Sequence, residues 1–131
     1  MIGLDTNVLV RYFAQDDPIQ SAKALQLIER RLTEDEPGFI SLVALVETVW
    51  VLQRRYRRDA RDVAAIIERL LQAPVVVIEN ATEVFLAMTA VQEGRGSFSD
   101  VLIGALGAKA GCSVTLTFDR KAARLPGFAL A

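Results

Sequence analysis

The chain has 131 residues, of which 52% are hydrophobic and 24% charged, with a formal net charge of −1. That balance suits one folded domain over residues 1–131 and excludes both a disordered chain and a uniformly basic nucleic-acid binder. Histidine is absent and Cys112 is the single cysteine, which excludes a Ser-His-Asp triad, an imidazole-ligated zinc and an internal disulfide. A reducing, cytoplasmic setting is expected.

The chain opens on MIGLDTNVL. Ile2, Gly3 and Leu4 read as a short buried strand that stops at Asp5, and a helix follows through Val8, Leu9 and Tyr12. Asp5 falls inside this early apolar stretch, which argues against a secretory signal. Pro18 is favourable at a helix start, and residues 21–32 carry apolar side chains at helical spacing. An acidic turn, 33–38, leads to a second strand at Phe39 and Ile40. Ser41 is a plausible cap for the helix LVALVETVWVLQRR, residues 42–55. A further amphipathic helix covers residues 58–72, bounded by Pro74. VVVI, residues 75–78, has the continuous apolar character of a strand covered on both faces.

Residues 80–94 read as a helix ending at Gly94, and a helix from about Ser99 to Gly111 follows the turn GRGSFS. SVTLTF, residues 113–118, has the β-branched content of a strand. RKAARLPGF supplies a short helix and a turn before a last strand near Phe128. Strands alternating with helices predict an α/β fold with a mostly parallel sheet. The apolar stretches near residues 39–52 and 98–118 are broken by Glu47, Asp100 and Lys109, so no membrane span is expected.

Four acids stand in places that call for explanation. Asp5 and Asp119 each end a strand, and in a parallel sheet this directs both to the edge where α/β folds bind ligands. Each could instead cap the helix that follows it. Glu47 has Val43, Ala44, Trp50 and Val51 as its neighbours at helical spacing. A carboxylate inside such a face is costly unless it is paired or bound to a metal; the alternatives are an arginine partner or a helix edge in water. Asp100 lies in the first turn of a helix, where the dipole alone favours an acid. Taken together, four carboxylates without histidine or a thiolate cluster suit Mg²⁺, or Mn²⁺. Such an ion lowers the pKa of water, which answers the missing histidine. Twelve of the fifteen basic residues are arginine, five of them within residues 54–61. That run fits either a solvated helix end or a patch for phosphates or a partner.

The ordered motifs MIGLDTNVLVRYF, SLVALVETVWVL, FSDVLIGALGAKAGC and TLTFDRKAARLPGF resemble the PIN-domain superfamily, and within it the VapC-type toxin ribonucleases of toxin–antitoxin pairs. The resemblance covers the full length. It implies a three-layer α/β/α sandwich with a mostly parallel sheet of five strands. It implies Asp5, Glu47, Asp100 and Asp119 as catalytic metal ligands, the strongest being Asp5 and Asp100, with Thr6, Asn7 and Thr117 in support. It also implies endonucleolytic cleavage of cellular RNA, transfer or ribosomal RNA above all, with Mg²⁺ or Mn²⁺ as cofactor. The partners it implies are a small antitoxin whose C-terminal arm fills the groove and a second copy in a homodimer or larger assembly. Arg11, Arg54, Arg55, Arg57 and Arg58 are the candidate contacts for substrate or antitoxin. The competing readings are cleavage of DNA or flap-like junctions, and a non-catalytic RNA- or protein-binding module whose acids are structural.

Overall fold

A computed structural model describes all 131 residues as two compact units, Met1–Ala81 and Thr82–Ala131. In the first unit, β1 (Ile2–Gly3), β2 (Gly38–Ile40) and β3 (Val76–Ile78) form a parallel sheet in the order β1-β2-β3. Ile2 pairs with Gly38, and Gly38 in turn with Val76. Parallel neighbours need a crossover. The first is supplied by α1 (Thr6–Ala14) and α2 (Pro18–Gln26), the second by α3 (Leu42–Arg55) and α4 (Ala60–Gln72). The central strand begins with glycine for a packing reason. A Cβ at Gly38 would lie 2.8 Å from the Cδ1 atoms of both Leu4 and Leu32.

Local chemistry explains the helix boundaries. Pro18 opens α2, and Asp17 caps it by accepting from the N–H groups of Ile19 and Gln20. Ser41 Oγ accepts from Ala44 N, so α3 occupies the expected residues with the expected cap. Asp59 accepts from Asp62 N and starts α4 two residues later than the sequence pattern suggests. Each such cap contributes about 1 kcal/mol. Residues 21–32 are not one α-helix: the helix begins at Pro18, and Leu27–Arg31 form a wider π-helical turn that ends as Leu32 N donates to Leu27 O. The core takes Leu45, Val49 and Leu52 from α3 and Val63, Ile66, Ile67 and Leu70 from α4.

In the second unit, α5 (Ala81–Gln92) and α6 (Phe98–Lys109) precede a two-stranded parallel sheet of β4 (Thr115–Thr117) and β5 (Phe128–Leu130). Gly94, at φ +70, lies just beyond α5 in a conformation that suits glycine. Lys109 Nζ meets Glu83 Oε1 at 2.8 Å and ties α6 to α5. Gly104 lies against Phe128 so closely that any Cβ would collide with the ring.

The α/β class and the parallel pairing are as expected. The single five-stranded sheet is not: hydrogen bonding joins three strands in one unit and two in the other. The strands are only two or three residues long, and each pairs only inside its own unit. Val77, at the middle of the apolar run 75–78, is exposed, so β3 is not covered on both faces. No helix is long and apolar enough to cross a membrane.

Candidate functional site

In the first unit β1 delivers Asp5 to the N-cap position of α1, with extended backbone (φ −82, ψ 159), yet its side chain makes no cap hydrogen bond. Only the Asp5 carbonyl is used, accepting from Val8 N at 3.0 Å and Leu9 N at 3.3 Å. The carboxylate is exposed and has no protein partner. Capping therefore does not account for this acid. Thr6 is buried at the first helical position, and Asn7 is exposed beside it.

Glu47 corrects the sequence reading. The buried stripe of α3 is Ala44, Leu45, Thr48, Val49 and Leu52, and Glu47 is exposed on another face. Its apolar neighbours Val43 and Trp50 are themselves 78% and 56% exposed. No burial cost attaches to the carboxylate, and no arginine pairs with it. The buried polar residue of this helix is Thr48, whose hydroxyl donates to Ala44 O at 2.7 Å.

The arginines divide into two kinds. Arg11 is held inside a local network: its guanidinium donates to Gln20 Oε1 at 2.8 Å, to Asp16 Oδ1 at 3.0 Å and to Tyr56 Oη at 3.4 Å. Tyr56 also donates to Asp16. That hydrogen bond, with help from Arg11, holds the Asp16 carboxyl below the ordinary carboxylate value and pushes the Tyr56 phenol up. Arg58 donates to Phe13 O at 3.4 Å. Arg54, Arg55 and Arg57 are exposed and form no ion pair; Arg54 lies over the Trp50 ring, and Arg57 has a positive φ of 51.

Sequence reasoning missed a cleft of about 320 Å³ lined by Asn7, Val8, Arg11, Gln20, Lys23, Ala24 and Leu27. It shares Lys23 and Leu27 with a second groove of about 570 Å³ that reaches Gln26, Arg30 and Arg31. The available signal was the spacing of Lys23, Gln26 and Arg30 along one face of a helix.

In the second unit, Ser97 Oγ accepts from Asp100 N at 3.2 Å, placing Asp100 in the first turn of α6. Its side chain is half-buried with no protein partner, in the position where the helix dipole favours negative charge. Asp119 behaves differently. Its Oδ1 accepts from Lys121 N at 2.7 Å and Ala122 N at 3.2 Å, so one oxygen is engaged as a cap. Thr117 Oγ1 accepts from Asp119 N at 3.0 Å and braces that turn.

Asp5, Glu47 and Asp100 thus have unengaged carboxylates, and Asp119 retains Oδ2. This all-oxygen donor chemistry fits a hard divalent cation. Within the chain, no group of three or more Asp, Glu or Cys side chains is gathered as a metal-holding set.

A family model described as PIN domain matches residues 2–127, a span that includes all four acids. The chain is also similar to a VapC ribonuclease of Aquifex aeolicus (strain VF5). The two are 22% identical over 123 residues, covering 93% of this chain and 90% of the relative.

Proposed function

The chain belongs to the PIN-domain family, and from that premise we propose that it is a nuclease, specifically the endoribonuclease toxin of a toxin–antitoxin pair. The observation that carries this reading is Asp5: a strand-end carboxylate at a helix N-cap that does no capping. The full-length likeness to a VapC ribonuclease supports RNA as the substrate. On this reading residues 1–131 act as one PIN-like domain, hydrolysing cellular RNA such as transfer or ribosomal RNA in the cytoplasm. A small antitoxin and a second copy of the chain are its partners.

Asp5 and Asp100 would be the principal ligands for Mg²⁺ or Mn²⁺, with Glu47 and Asp119 completing the set, and an ion held by them would lower the pKa of water and offset charge developing on the phosphodiester. The chain's own part is positional. The cap turn leaves Asp119 Oδ2 as the oxygen able to serve, Thr117 fixes that turn, and Asn7 adds an exposed amide beside Asp5. In the hydrolysis a water oxygen bonds to phosphorus while the bond to the leaving oxygen breaks, and that oxygen takes up a proton.

The test is cleavage of total RNA by protein freed of antitoxin, with Mg²⁺ or Mn²⁺, against Asp5→Asn and Asp100→Asn. Defined fragments made by the wild type alone are expected. Equal fragmentation by the variants would remove the catalytic assignment, and preference for DNA of matched sequence would replace the substrate.

A further inference from the structure

Trp50 is the only tryptophan in the chain, and it lies 56% exposed on α3. The Arg54 guanidinium carbon sits 5.7 Å from the centre of its ring. Val43, Glu47, Trp50 and Arg54 follow one another at spacings of four, three and four residues, which places them along one face of the helix. All four are exposed. Glu47 and Trp50 are therefore neighbours, roughly 5–6 Å apart at their Cβ atoms, and Arg54 lies roughly 10 Å along the axis from Glu47. Arg55, the last residue of α3, and Arg57 just beyond it extend the positive charge, and neither forms an ion pair.

We propose that Trp50 is a stacking platform for an unpaired RNA base and that Arg54 engages a phosphate beside that base. This face of α3 then lays single-stranded RNA along Glu47. The inference rests on the nuclease reading above and adds the two side chains that seat a base and its phosphate. An aromatic face stacks on any base, and an arginine over the ring adds both planarity and charge, so recognition of this kind is tolerant of sequence. It requires bases freed from a duplex, as in loops and bulges.

Because Trp50 is alone, tryptophan fluorescence, excited where the tyrosines do not absorb, reports on this position and no other. The experiment titrates Asp5→Asn protein, in chelator, with a single-stranded oligoribonucleotide and with a duplex of the same composition. Saturable quenching by the single strand is expected, several-fold weaker for the duplex, with a midpoint that rises with salt. Anisotropy of labelled single strand should show about tenfold weaker binding by Trp50→Ala, largely restored in Trp50→Phe, and a shallower salt dependence in Arg54→Gln. In the cleavage assay with cation, Trp50→Ala should raise KM far more than it lowers kcat. Absent quenching, equal quenching by the duplex, or a fluorescence shift driven by protein concentration alone would overturn the proposal, the last by showing that a second copy covers Trp50. Wild-type cleavage with unaltered KM in Trp50→Ala would overturn it while leaving the nuclease reading intact. Absence of any wild-type cleavage would remove the nuclease reading, and the chelator titration would still decide whether Trp50 stacks on RNA.

Discussion

Asp5 and Asp119 are both strand-end aspartates, each followed directly by a helical turn, and the structure gives them opposite employment. Asp5 stands at a helix N-cap without capping, so its carboxylate is free. Asp119 accepts two backbone N–H groups with one oxygen and is braced by Thr117. The residue type and its position on a strand do not separate an engaged carboxylate from a free one. What separates them is whether nearby amides turn toward the side chain, as those of Lys121 and Ala122 do toward Asp119.

The sharpest break of this comparison is in activity. Asp5→Asn should abolish RNA cleavage, with a loss beyond the roughly 10–100-fold seen for groups that merely support metal ligands, and should leave the melting temperature unchanged. A fall in melting temperature matching that of Asp119→Ala would show that Asp5 is structural after all. Removing divalent cations with chelator should likewise silence the wild type, and adding back Mg²⁺ or Mn²⁺ should restore it; cleavage that persists in chelator would contradict the cation requirement. Asp119 is expected to divide stability from activity. Asp119→Ala should cost about 1 kcal/mol of stability by loss of the cap, measured by denaturant unfolding. Asp119→Asn retains a carbonyl acceptor and should recover that stability while cleaving poorly.

The smallest effect concerns the Asp16–Tyr56–Arg11 network. The Asp16 pKa is depressed in the folded protein, chiefly by the Tyr56 hydrogen bond. Its contribution is therefore present above the unfolded carboxylate pKa and lost as pH falls through the folded value. The Tyr56 pKa is raised, so its contribution holds below the unfolded phenol pKa and disappears as pH rises through the folded value. Melting curves of Tyr56→Phe and wild type should differ across the middle of the pH range and converge at both extremes. A difference that persists at low pH would rule out Asp16 as the partner that matters.

Much of the first unit was legible because its signals are local. Ser41 and the apolar period define α3, and Asp17 with Pro18 defines the start of α2. The face of α3 was not legible. LVALVETVWVL is apolar nearly all round, so periodicity fits more than one stripe, and only packing selects Leu45, Val49 and Leu52 for the core. Glu47 looked anomalous for burial and proved to be an exposed acid between exposed apolar residues. The role of Arg11 was hidden for a different reason: one of its partners, Tyr56, lies 45 positions away in the chain. The π-helical turn at Leu27–Arg31 has no local mark in the sequence. The positions of the four acids along the chain are plain in the sequence; their division between engaged and unengaged carboxylates needed coordinates.

Gly38 and the brevity of β1 have a consequence in time. β1 is two residues long and pairs along one edge only, with a strand that lies beyond two intervening helices. Pairing so distant in sequence must wait for the chain between to condense, and the space a Cβ would take at Gly38 is filled by Leu4 and Leu32 once the strands have paired. The strand that presents Asp5 is thus held in place only after β2 has been synthesised and paired with it. A chain synthesised only as far as α2 carries Asp5 before the strand that will hold it in place exists.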